Sequence, residues 1–153
     1  MSKLNFSISG NSITATRYDG KARQFSLIVD EPEELGGLDS APNPVEYLLA
    51  AYAGCINVVI HLVAKELQVT VSNIKINING DINPERLLGL SKANRAGFES
   101  LTVDIDLETE ASQELISKLF EQVKDRCPLN DNLSNSTPLI YNIKHLNINQ
   151  LAN

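Results

Sequence analysis

Residues 43–67 read NPVEYLLAAYAGCINVVIHLVAKEL, and the fold turns on this stretch. Asn43 is a good helix N-cap, and Pro44 suits the first helical position, where its missing N–H is not needed. From Tyr47 to Ala64 the run carries no charge, and its apolar residues fall on every side of a helix rather than on one stripe. Such a helix is buried inside a protein or crosses a membrane. The run is close to the roughly 18–20 residues a membrane span requires. However, Asn57 and His61 lie inside it, Lys65-Glu66 follow at once, and neither flank carries the Lys/Arg cluster that sets an orientation. The expectation is a buried core helix. Ala50, Ala51, Ala53 and Gly54 predict that another backbone approaches it closely. Cys55 stands near its middle.

The chain of 153 residues is long enough for one domain, 1–153, with a real core. A hydrophobic fraction of 42% belongs to a globular protein. The net charge of −6 argues against nucleic acid and anionic membrane as partners, since both require basic surface. Residues 1–10 contain no charged-then-apolar leader, so the expected location is cytoplasmic. Two widely separated cysteines do not form a disulfide framework. In a cytoplasmic protein they are reduced at rest, and oxidise as part of a reaction if at all.

Alternation of apolar and polar residues predicts strands over Leu4–Ile8, Ser12–Tyr18 and Gln24–Val29, with turns at Gly10-Asn11 and Asp19-Gly20. A loop follows from Glu31 to Pro42. Beyond the central helix, Ile74–Gly80 and Leu101–Leu107 alternate cleanly. A long connection with one short helix near Glu85–Leu88 separates them. Ser112 caps an amphipathic helix through Leu115, Leu119 and Val123 that ends at Cys127-Pro128. A polar segment with a helical turn at Asp131–Leu133 leads to a closing strand, Leu139–Ile148. The pattern is α+β with antiparallel sheet.

A mid-helix position gives Cys55 no help from the helix dipole, and burial raises a thiol's pKa. A reactive Cys55 therefore requires a fixed cation, and Arg17, Arg23, Arg86, Arg95 and Arg126 are the arginines available. Cys127, at a helix C-terminus, is disfavoured as a thiolate. If the two act together, Cys55 attacks and Cys127 resolves. The residues alone leave a second reading open, in which both thiols are small core hydrophobes.

Gly36-Gly37, the helix start Pro42-Asn43-Pro44-Val45-Glu46, the run Ala51-Tyr52-Ala53-Gly54-Cys55 and the step Cys127-Pro128 together resemble the OsmC/Ohr family of thiol-dependent peroxidases. The resemblance implies an OsmC-like fold, with antiparallel sheets around a long buried central helix, in an intertwined homodimer. It implies reduction of organic hydroperoxides in oxidative-stress defence through a Cys55 sulfenic acid and a Cys55–Cys127 disulfide. It further implies that an external dithiol such as dihydrolipoamide regenerates the enzyme and that no metal, haem or flavin takes part. An arginine and a glutamate support the thiolate in this family. Arg17 and Glu46 take these places here, each one residue from the Ohr spacing. On one straight helix Glu46 and Cys55 stand roughly 13 Å apart, so contact requires a bent helix start or a second chain. That displacement motivates an alternative: a non-catalytic dimer of the same fold that binds a small apolar or acyl ligand in the interface cleft.

The remaining polar residues read more plainly. His61 and His145 pair with no cysteine at metal-ligand spacing. Tyr47 and Tyr52 read as packing residues, with the lining of a pocket as the second reading, Asn57 bonds locally, and the acidic run at Asp30–Glu34 forms a solvated loop face. No nucleophile elbow and no phosphate-binding glycine loop is present.

Overall fold

A computed structural model describes residues 2–145. The central helix, α1 (Pro44–Glu66), begins where its caps dictate. Asn43 Oδ1 accepts from the Glu46 amide at 2.9 Å, and Glu46 Oε2 accepts from the Asn43 amide at 2.8 Å. This reciprocal capping box satisfies two otherwise orphan donors. α1 has the length and apolarity of a membrane span, yet one stripe of it, Tyr52, Ile56, Val59, Ile60, Val63 and Ala64, is buried as protein core. The opposite side departs from all-round burial. Val58 is 64% exposed and Leu62 48%, and beyond the adjoining backbone of α1 nothing lies within 4 Å of where a Cβ on Gly54 would stand.

Two elements cover the buried stripe. α2 (Gln113–Arg126), capped by Ser112, contributes Leu119 and Val123. Arg126 Nη2 donates to Glu66 Oε1 at 2.8 Å and ties the last turns of α1 and α2 together. The second element is an antiparallel pair. The fourth and fifth strands, β4 (Asn73–Asn79) and β5 (Thr102–Glu108), fall on the two alternating segments. Their register sets Ile74 opposite Leu107, Ile76 opposite Ile105 and Ile78 opposite Val103. These cross-strand pairs make the face that meets the helices. Lys75, Asn77, Asp104 and Asp106 take the wet face. The connection between β4 and β5 holds turns rather than the expected short helix. Arg86 Nη1 staples it by donating to Lys92 O at 2.8 Å and Asn94 O at 3.3 Å.

The N-terminal sheet, β1 (Ser9–Ser12), β2 (Tyr18–Ala22) and β3 (Phe25–Val29), is an antiparallel meander in the order β1-β2-β3. Its strands differ from the expected ones. Asp19-Gly20 is not a turn but lies inside β2, and Gly10-Asn11 lies inside β1. The reason is steric. Gly10 and Gly20 face each other, and a Cβ on Gly10 would stand 2.2 Å from Asp19 O. Gly10 thus permits close strand approach, while the β2–β3 turn falls at Arg23, whose φ is +55°. This sheet touches α1 through Tyr47, whose hydroxyl donates to Ile28 O at 2.7 Å. Leu4, Phe6, Ile8 and Phe25 stay exposed.

The loop from Glu31 to Pro42 folds around Asp30, which is 1% exposed. Asp30 Oδ2 accepts from the Ser40 hydroxyl at 2.8 Å and from the Leu38 and Ser40 amides at 3.2 Å. This carboxylate is not the solvated loop face expected of Asp30–Glu34. Residues 139–145 of the expected closing strand join no ladder, and Leu139, Ile140, Tyr141 and Ile143 are exposed. Leu146–Ile148 lie outside the described residues.

Candidate active site

Cys55 stands at the border of the buried stripe of α1, with Tyr52 and Val59 on its inner side and Ala51 and Val58 on its open side. It is partly exposed, whereas Cys127 is 1% exposed. Pro128 forces Cys127 out of helical geometry, to φ −77° and ψ 111°. The same proline then opens a further helix, α3 (Pro128–Ser134). Cys127 is thus both the C-cap of α2 and the N-cap of α3. The expected single turn at Asp131–Leu133 is part of this longer helix.

The corner brings the two sulfurs together. Cys127 Sγ lies 3.2 Å from Cys55 Sγ, with both thiols free. Burial pushes the Cys55 thiol above its ordinary pKa, the Leu129 amide at the start of α3 opposes this, and the adjacent Cys127 pushes it further up. Burial likewise raises the Tyr52 hydroxyl, with smaller contributions from Cys127 and Cys55.

Tyr52 does more than pack. Its hydroxyl donates to Asn130 Oδ1 at 2.8 Å, and Asn130 Nδ2 donates to Lys124 O at 2.9 Å. Tyr52, Asn130 and Val103 stand between two open clefts. One, of about 440 Å³, runs past Leu48, Arg95 and Phe98. The other, of about 390 Å³, reaches Cys127 between Ile56, Ile105 and Phe120. Asn130 and the Leu129 amide were not legible as site groups. The available signal was Pro128, which starts a helix and so places residue 130 one turn beyond Cys127.

Arg17 and Glu46 are engaged elsewhere within one chain. Arg17 Nε donates to Asp19 Oδ1 at 2.7 Å and Nη2 to Asp19 Oδ2 at 3.0 Å. This pairing, against the cost of burial, raises the Arg17 pKa and lowers that of Asp19. Glu46 closes the capping box. His61 and Asn57 lie on the exposed side of α1. Among the described residues no group of three or more His, Cys, Asp or Glu is arranged to hold a metal ion.

An α+β chain with antiparallel sheets, a central core helix and two adjacent thiols defines a class of small two-cysteine proteins. Residues 37–142 match the family model described as OsmC-like protein, and the chain belongs to that family. Solved structures share the fold at low identity. An OsmC-like protein from Mycoplasma pneumoniae is 17% identical with a TM-score of 0.76, over 88% of this chain and 91% of that one. An organic hydroperoxide resistance protein from Elizabethkingia anophelis is 18% identical with a TM-score of 0.64, over 88% and 91%. An organic hydroperoxide resistance protein OsmC from Legionella pneumophila is 18% identical with a TM-score of 0.62, over 87% and 91%. No curated protein matches the chain.

Proposed function

We propose that this protein is a cytoplasmic, homodimeric peroxidase that reduces organic hydroperoxides with Cys55 and Cys127. The observation that carries the reading is the 3.2 Å separation of the two sulfurs. The Cys55 thiolate attacks the distal peroxide oxygen, the O–O bond breaks, and the alcohol leaves after taking up a proton. Cys55 is left as a sulfenic acid. The Cys127 sulfur attacks Cys55 Sγ, water leaves, and a disulfide forms. An external dithiol such as dihydrolipoamide reduces that disulfide by exchange. The exposure of the two thiols supports these roles: the partly open one meets substrate, and the covered one resolves.

Within one chain the Cys55 pKa is raised, the wrong direction for a nucleophile at neutral pH. The exposed apolar side of α1 and the bare flank of Gly54 support a second copy seated there. In this reading Arg17 and Glu46 serve Cys55 across the dimer. Each shares its charge with the group it already holds, Asp19 or the Asn43 amide. Reduced protein mixed with cumene hydroperoxide should consume one equivalent per chain and lose both thiols. Unchanged thiols in folded protein would remove the peroxidase reading.

The raised Cys55 pKa and the two largely apolar clefts favour one alternative, a dimer of this fold that binds a small apolar or acyl ligand without turnover. It predicts a rise in Tm with a medium-chain acyl ligand, equal in wild type and Cys55→Ser, and no peroxide consumption.

A further inference from the structure

We propose that Tyr52 and Asn130 are positioning residues for disulfide closure. Their hydrogen bond straps the Cys127 corner against α1, so that Cys127 reaches the Cys55 sulfenic acid before a second peroxide does. This rests on the peroxidase reading. Tyr52 precedes Cys55 by three residues, about one turn on the same side of α1. Asn130 follows Cys127 by three residues on α3. The 2.8 Å bond between them therefore joins the same two segments that the disulfide would join, one turn away from it.

The strap is anchored on its far side as well. The Asn130 amide donates to Lys124 O in the last turn of α2, so one side chain links α1, α2 and α3 around Cys127. Tyr52 is 8% exposed. Removing its hydroxyl would leave the half-buried Asn130 oxygen without the donor it now has. Cys127 itself is an extended residue between two helices, and apart from the strap the corner is tied to α1 through Arg126 and Glu66 at the end of α2.

Two reactions compete for the sulfenic acid. In closure, Cys55–SOH and Cys127–SH give the disulfide and water. In overoxidation, Cys55–SOH and a second hydroperoxide give the sulfinic acid and the alcohol. Closure is intramolecular, and its rate depends on how often Cys127 Sγ sits in line with Cys55 Sγ. Overoxidation depends on peroxide concentration and not on the corner. The ratio of the two products therefore reports the strap.

The test uses the full-length protein with cumene hydroperoxide at rising concentration, with disulfide and sulfinic acid counted by intact mass. Tyr52→Phe and Asn130→Leu should each shift the disulfide-to-sulfinate ratio toward sulfinate by about fivefold, the effect of losing one hydrogen bond. The double variant should be no worse than the poorer single one, because both remove the same bond. Ratios equal to wild type in both folded variants would overturn the proposal. So would additive losses that merely track Tm. If wild-type Cys55 takes up no oxygen, the peroxidase reading itself has failed. The strap is then read in a glutathione redox buffer. A severalfold smaller equilibrium constant for the Cys55–Cys127 disulfide in Tyr52→Phe supports it, and an unchanged constant overturns it.

Discussion

Cys127 Sγ lies 3.2 Å from Cys55 Sγ, although 72 positions of sequence separate them. A disulfide requires about 2.05 Å between sulfurs, so closure asks for a small movement of one side chain rather than a refolding of the corner. Cys55→Ser should abolish peroxide turnover. Cys127→Ser should still allow one oxidation per chain, trapped as a sulfenic acid that dimedone labels, with turnover lowered at least about a hundredfold. Equal loss of the first oxidation in both variants would exchange or remove the assigned roles.

The direction of the Cys55 pKa gives a second prediction. Burial comes first among its causes, and it favours the neutral thiol. An isolated chain should therefore alkylate slowly at pH 7 and faster as pH rises past the ordinary thiol value of about 8.5. A dimer that supplies a guanidinium should move the midpoint below that value, and Arg17→Ala should move it back up. Arg17→Ala also frees Asp19, so Asp19→Asn serves as the control for loss of the ion pair alone. The check is the pH profile of iodoacetamide labelling of Cys55, measured above and below the dimer dissociation constant. A midpoint that stays high in the wild-type dimer would favour the ligand-binding reading.

Asp30 gives a stability prediction with a definite sign. The Ser40 hydroxyl holds its carboxyl well below the usual carboxylate range; burial opposes this, and the Glu31, Ser40 and Leu38 amides add to it. A carboxylate whose folded pKa is depressed contributes stability above its unfolded value of about 3.9. That contribution is lost as pH falls toward the folded value. Asp30→Asn should lower Tm by several degrees at pH 7, on the order expected for a buried hydrogen-bond acceptor. The gap to wild type should narrow at pH 3. Thermal melts at pH 7, 5 and 3 read this directly. A gap that stays constant with pH would assign the effect of the substitution to packing.

The parts of this architecture that were legible in sequence are those governed by local rules. Asn43, Pro44 and Glu46 write the start of α1 within four residues, and the alternation of Ile74, Ile76 and Ile78 writes β4 without outside help. Where tertiary approach decides, the local signal misleads. Asp19-Gly20 has the composition of a hairpin turn, but Gly20 pairs with Gly10 inside the sheet, and a Cβ on it would stand 2.7 Å from the Tyr18 ring. Glu46 has the residue type of a thiolate partner and, within its own chain, the geometry of a cap. Asn130 carries no motif at all; its place follows from the helix that Pro128 begins. The alternation in Leu139–Ile143 predicts a strand, yet these residues join no ladder, because alternation marks a strand's two faces without supplying a partner for its edges.

Gly54 separates the single chain from the dimer. In one chain, a Cβ there would meet nothing within 4 Å beyond the adjoining backbone of α1, and alanine is the better helix former by about 1 kcal/mol. Gly54→Ala should therefore stabilise a lone chain. If a second copy seats its backbone against Ala50, Ala51 and Gly54, the added methyl intrudes at the contact and costs association. The expected outcome is a dimer weakened by about tenfold or more, with a Tm that depends more steeply on protein concentration than in wild type. Sedimentation equilibrium and melts over a range of concentrations measure both effects. A variant that dimerises as tightly as wild type and melts higher at every concentration would move the interface off this side of α1. The cation that Cys55 lacks among the described residues would then have to come from elsewhere.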